Sequence, residues 1–261
     1  MSKAAIERRV ITILYDFQKA RKVWGDLVSD GLTQANALVN VQLQQGYVDS
    51  PGYWPPALDR FLDLKERFEG KLQKRAVAIV EDFETTFSKM SAQYSKMKLQ
   101  TSQLEYLMEE ATETFGEAFV YRDFFGTTCT LEQIRIQLDR VFALYTEQII
   151  LNREILDHLV ARNQHYQPQF ISASASATTS ARGSSDDRST KDSVALDTTS
   201  INDDNDPNDQ HGLGAMIPPV RGDKDQGMVL LSAWLNQPHL KTDVLATFDE
   251  FCQVELFGNE T

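Results

Sequence analysis

Between Pro56 and Phe115 the chain contains no proline, and Leu72, Ala76, Ile79, Phe83, Phe87, Met90, Tyr94, Met97, Thr101, Leu104, Met108, Ala111 and Phe115 follow one another at steps of three or four. That period is one face of an α-helix. An unbroken helix of about 60 residues would be on the order of 90 Å long at 1.5 Å per residue, too long for a compact globule. The segment therefore predicts a coiled-coil arm, or a break around Gly70 or near residues 112–126.

The preceding segment repeats the pattern. Ile6, Val10, Ile13, Phe17, Ala20, Trp24 and Leu27 alternate steps of four and three, which is heptad spacing. The stripe continues through Ala35 and Leu38 until "QGYVDSPGYWPP", where Gly46, Pro51, Gly52, Pro55 and Pro56 favour turns and remove backbone donors. A first helix is expected over about residues 4–45, and the second starts at the prolines. In "RDFFGTTCTLEQ", Gly126 supplies a break and Thr130 with Gln133 matches a Thr-x-x-Gln capping box. A third helix then carries Leu131, Ile134, Leu138, Val141, Tyr145, Ile149, Ile155 and Leu159.

Composition divides the chain. Residues 1–166 carry a net charge of about −3, residues 167–227 about −5 and residues 228–261 about −4, within a total of −12. The middle segment, with "SASASATTSARGSSDD" and "NDDNDPNDQHG", holds too little apolar surface to offset the roughly 1–2 kcal/mol per residue that ordering a backbone costs. It reads as a disordered tether. Beyond it, Val229, Leu230, Ala233 and Trp234 predict a short amphipathic helix interrupted by Pro238, and Leu240, Val244, Leu245, Phe248, Phe251 and Cys252 predict a second. Some thirty residues are too few to fold alone, since about 40 are usually needed, so this pair must pack on the long helices or on a partner. The expected fold is all-α: an elongated antiparallel coiled-coil or helical bundle of three long helices over 1–166, a disordered linker over 167–227 and a short C-terminal helical pair over 228–261.

Chemistry is hard to find. A di-metal bundle needs Glu-x-x-His on facing helices; the nearest approach is Glu154 with His158, which reads as a solvated pair, and His165, His211 and His239 read as loop residues. Counting a calcium loop from Asp204 puts Asp209 where Gly is required and Ala215 where Glu is required. Gly212 and Gly214 lack the Lys-Ser/Thr of a phosphate loop. No cofactor, metal or catalytic residue is expected, and the chain reads as no enzyme. Cys129 and Cys252 stand far apart without metal-ligand neighbours, which fits a reducing compartment. The N-terminus lacks a secretory signal, and no apolar run of about 18 residues is present. A soluble intracellular protein is expected, with no membrane partner.

The acidic balance also disfavours phosphate binding over the whole surface. Locally, Arg60, Arg67, Lys71 and Lys74 share one side of helix two. They are either a solvated flank whose lysine stems cover the seam or a docking stripe for an acidic protein face or ribosomal RNA. Trp24, Phe83, Phe87, Tyr94, Met97 and Met108 read as seam residues rather than a cofactor box. A seam this long exceeds what the first and third helices cover, and the remainder calls for a partner chain.

The segment "PALDRFLDLKERFEGKL", Pro56 to Leu72, resembles the Pro-Ala-Leu-x-x-Phe-x-Asp-Leu-Lys-Glu-Arg-Leu segment of the AIRIM family, with Asp63, Leu64, Lys65, Glu66 and Arg67 matching without a gap. The helix order and the Trp-bearing end "LLSAWLNQPHLKTDVLATFDEF" are also similar. The long Ser/Asp-rich tether departs from the family pattern. The resemblance implies a non-catalytic adaptor that pairs with a CINP-like small coiled-coil protein and accompanies a double-ring AAA+ ATPase. That assembly acts on cytoplasmic precursors of the large ribosomal subunit, releasing assembly factors for recycling. Contact with the pre-60S particle is then indirect, no sequence-specific nucleic-acid contact is expected, and the location is cytoplasmic and nuclear. Candidate interface residues are Leu58, Phe61, Asp63, Leu64, Arg67, Phe68, Lys71 and Leu72 in the motif, with Trp234, Leu235, Phe248 and Phe251 as aromatic and apolar anchors in the tail. The rival reading is a structural coiled-coil subunit of a cytoskeletal, kinetochore or vesicle-tethering complex, which the periodicity fits equally well.

Overall fold

The computed structural model describes residues 2–48, 53–58, 60, 61, 63–123, 129–164 and 224–257. They are helical almost throughout: α1 is Lys3–Val48, a 3₁₀ turn spans Pro56–Leu58, and α2 is Leu64–Phe115. A short α3, Glu117–Tyr121, leads to α4, Leu131–Gln164, and the C-terminal segment forms α5, Lys224–Asn236, and α6, Thr242–Phe257. The expected tether lies largely outside the described residues, as does Gly126.

Side-chain pairs at the two ends of the helices set their directions. Arg9 meets Glu110 at 2.8 Å while Gln45 donates to Gln73 at 3.1 Å, so α1 and α2 run antiparallel along nearly their whole length. Tyr94 bonds Thr146 at 3.3 Å and Arg153 meets Glu84 at 3.2 Å, so α4 is antiparallel to α2 and parallel to α1. The C-terminal segment descends beside α1 and α4: Gly227 lies against Val39, Trp234 against Gly31, and Phe248 against Phe17. It belongs to the same compact unit as the long helices. Three long helices and a fourth split in two make an up-down-up-down bundle.

The seam follows the sequence stripes closely. Ile6, Val10, Ile13, Phe17, Ala20, Trp24 and Leu27 are all buried, and so are nearly all the stripe residues of α2, with only Phe115 exposed. The expected uncovered seam is therefore not found: α1, at 46 residues, matches most of the 52 of α2, and α4 packs on α2 as well. An exposed seam is no reason to invoke a partner.

Breaks fall where the backbone demands them. α2 passes through Gly70 without interruption and ends at Gly116, whose φ of 85° is costly for any residue with a Cβ and whose N–H still reaches Thr112 O at 2.8 Å. The Thr130 capping box forms as expected, with Thr130 N donating to Gln133 Oε1 at 2.9 Å and Gln133 N to Thr130 Oγ1 at 3.2 Å. Pro238 divides α5 from α6. The residue before a proline avoids the α region, and Gln237 turns with φ 44°.

The start of α2 corrects the expectation of a helix beginning at the prolines. Leu58 N bonds Pro55 O, Phe61 N bonds Leu58 O and Leu64 N bonds Phe61 O, at 2.8, 2.9 and 3.1 Å, before the first α-type bond from Arg67 N to Asp63 O. These turns place Leu58, Phe61 and Leu64, with Arg60 and Asp63, around one hollow. An aromatic clasp ties this segment to the end of α1: the Trp54 indole donates to Val48 O at 2.9 Å, and its ring meets Phe68 edge-on at 5.6 Å.

Candidate partner interface

The turns at the head of α2 open a groove of about 520 Å³ lined by Leu58, Arg60, Phe61, Asp63, Leu64 and Arg67. Phe61 is 52 % exposed, and the Arg60 guanidinium lies over its ring at 5.1 Å. Arg67 reaches Asp63 at 3.2 Å along the helix; both are well exposed, so the pair adds little stability. Leu58 and Leu64 are half-buried, and Lys71 is exposed one turn further on. Five of the eight motif residues expected at an interface, Leu58, Phe61, Asp63, Leu64 and Arg67, thus line one concave surface. Phe68 turns inward against Trp54, and Leu72 is buried in the bundle seam.

The tail candidates divide differently. Trp234 and Phe248 have no exposed surface, which corrects their assignment as anchors for another chain: their partners are the bundle's own helices. Trp234 packs edge-on against Phe83 at 4.9 Å and donates from Nε1 to Val28 O at 3.0 Å. A Cβ on Gly31 would sit 2.4 Å from the ring, so the absence of a side chain there is the notch into which Trp234 fits. Phe248 meets Phe17 at 5.8 Å and lies under the Arg21 guanidinium at 5.3 Å. Phe251 is half-buried, whereas Leu235, 57 % exposed, faces outward.

Residues that the sequence reading passed over hold the tail in place. In the strict heptad of α4 the positions after Tyr145 are Gln148 and Asn152, both buried. Gln148 Nε2 donates to Asn152 Oδ1 at 2.8 Å, and Gln148 Oε1 accepts from His239 N at 3.0 Å. Asn152 and Gln237 exchange amide hydrogen bonds at 3.2 and 3.3 Å, Gln237 Nε2 also reaches Trp234 O at 2.6 Å, and Trp24 Nε1 donates to Gln237 Oε1 at 3.4 Å. These bonds compensate the left-handed backbone at Gln237. Beyond them, Arg21 grips Asp249 at 2.6 Å and reaches Tyr145 OH at 3.3 Å. Burial opposes the Arg21 charge, but these oxygens hold its pKa above the ordinary value.

Burial pushes the Cys252 thiol up to about 12. Below about pH 9 the thiol is neutral whether the chain is folded or not; above it the unfolded chain ionises first, so stability should decline as pH climbs from there towards 12. A thiol reagent at pH 8 is expected to modify half-exposed Cys129 and spare Cys252 until denaturant is added, which mass spectrometry of the labelled peptides would check.

Among the described residues, no group of three His, Cys, Asp or Glu side chains is placed to hold a metal ion, and no helix is long and apolar enough to cross a membrane. Glu154 and His158 are both exposed. A comparison with protein-family models found no match, and a search of curated proteins found none either.

Proposed function

We propose that this chain is a non-catalytic adaptor subunit that accompanies a double-ring AAA+ ATPase in the cytoplasmic maturation of the large ribosomal subunit precursor. In this reading it pairs with a CINP-like small coiled-coil protein, and ATP hydrolysis belongs wholly to the ATPase. The observation that carries the proposal is the groove at the head of α2. The segment that resembles the AIRIM family supplies its lining, with the exposed Phe61 ring beside Leu58 and Leu64 as an apolar contact for a partner. The bundle's apolar stripes are buried by its own helices, and in this reading partner contact is made at this end.

Affinity capture of the chain from cell extract, followed by mass spectrometry, tests the reading. An AAA+ ATPase with pre-ribosomal proteins is expected with the unaltered chain, and the Phe61→Asp variant should reduce that recovery at least about tenfold, as loss of a central aromatic contact commonly does. Since Phe61 is exposed, the variant should unfold at the same temperature. Recovery of motors or membrane tethers without the ATPase would instead support a structural coiled-coil role.

A further inference from the structure

Between residues 60 and 75 the chain places Arg60, Lys65, Arg67, Lys71, Lys74 and Arg75 against Asp63, Glu66 and Glu69, a local excess of positive charge in a protein whose net charge is −12. Leu64, Arg67, Lys71 and Lys74 follow at steps of three, four and three, so the groove runs directly into a cationic ridge on the same helix face. Arg67, Lys71, Lys74 and Arg75 are exposed, and the last three make no ion pair among the described residues. Ten residues of helix separate Leu64 from Lys74, about 15 Å at 1.5 Å per residue. A hollow with Leu58, Phe61 and Leu64 in its lining and a ridge of exposed cations beyond it, Arg67 shared with Asp63 and Lys71 and Lys74 unpaired, form a bipartite surface.

We infer that this surface receives an acidic amphipathic peptide from a protein partner, with one or two bulky apolar side chains in the Leu58–Phe61–Leu64 groove and carboxylates along Arg67, Lys71 and Lys74. The inference rests on the adaptor reading for the use of this surface and adds the chemistry of what docks there. Charge complementarity fixes the polarity of the peptide, because a carboxylate is the group that unpaired lysines and arginines gain most from meeting. A nucleic-acid strand fits less well. A phosphate backbone carries a charge at every nucleotide and so meets Asp63, Glu66 and Glu69 as well as the cations, whereas a peptide can place its carboxylates beside the cations alone; Arg60 also covers one face of the Phe61 ring on which a base would stack.

The test uses the full chain and fluorescence anisotropy with three probes. The first is a synthetic 15-residue peptide with Leu and Phe at its head and three Glu over the following turns, the second has Gln in place of each Glu, and the third is a single-stranded 15-nucleotide RNA. The Glu peptide should bind at least about tenfold tighter than the Gln peptide or the RNA, and weaken as salt is raised. Lys71→Glu with Lys74→Glu should remove that preference, and Phe61→Ser should weaken both peptides alike. Both variants alter exposed positions, and circular dichroism should show unchanged helix. Equal binding of the Glu and Gln peptides, tighter binding of RNA, or no binding of any probe would overturn the inference. Tighter peptide binding after Asp203, Asp204, Asp206 and Asp209 are changed to Asn would also overturn it, by assigning the groove to the chain's own acidic tract. The two readings fail separately. Capture of the ATPase undiminished by the Lys71 and Lys74 changes leaves the adaptor role and removes this inference. Selective peptide binding without ATPase capture does the reverse.

Discussion

Trp234→Ala is expected to release the C-terminal helices from the bundle at a cost of about 3–5 kcal/mol, the range for truncating a large buried aromatic side chain. Three contacts go at once: the edge-on packing against Phe83, the hydrogen bond to Val28 O, and the filling of the notch at Gly31. A helix that lacks its main anchor does not gain from the remaining bundle, so the loss should be local. Hydrogen exchange would show the amides of α5 and α6 exchanging far faster while those of α2 near Met90 and Met97 keep their protection. Trp234→Phe should retain most of the packing and lose the hydrogen bond, costing less. Unchanged protection of α5 and α6 in Trp234→Ala would mean that the ring does not anchor them. The same notch predicts that Gly31→Leu reproduces the effect from the other side.

The second large effect lies in the buried amide cluster. Asn152→Leu should cost about 2–4 kcal/mol, because Gln148 Nε2 loses its acceptor and both bonds exchanged with the Gln237 amide disappear, leaving buried polar groups that water cannot reach. At about 2–4 °C per kcal/mol for a chain of this size, a fall in melting temperature of some 5–15 °C is expected. Gln148→Leu with Asn152→Leu should cost less than the two single changes together, since removing donor and acceptor in one step leaves fewer groups stranded. Additive single costs in calorimetric melts would show that the two amides do not act as a unit. Arrangements of this kind specify register more than they stabilise: an apolar seam would let the split helix slide by a turn, whereas the paired amides of Asn152 and Gln237 accept one position.

Much of the fold was legible because burial in a long bundle repeats every three or four residues. The stripe from Ile6 to Leu27 in α1 and the one from Leu72 to Ala111 in α2 are the seam, and Thr130 with Gln133 marked the start of α4 to the residue. The same rule hid what holds the tail. Following apolar residues along α4 leads from Tyr145 to Ile149, but the heptad leads to Gln148 and then Asn152, and along α1 it leads from Leu27 to Gly31. A polar or absent side chain at a seam position is the sign of a specific contact, though nothing in one sequence names its partner. For the candidate interface, the motif marked the head of α2, and only the turns that precede the helix place Leu58, Phe61 and Leu64 around one hollow.

By itself, then, the order of residues determined three long helices, their buried faces and the need for a short C-terminal pair to lean on something, since these follow from local periodicity and from the burial that periodicity requires. Tertiary structure decided what the pair leans on. Whether Trp234 faces a partner or its own bundle depends on a glycine, a carbonyl and a phenylalanine drawn from two helices more than 140 residues away in sequence, and such a meeting is set by the complementary shapes of packed surfaces rather than by any pattern along the chain.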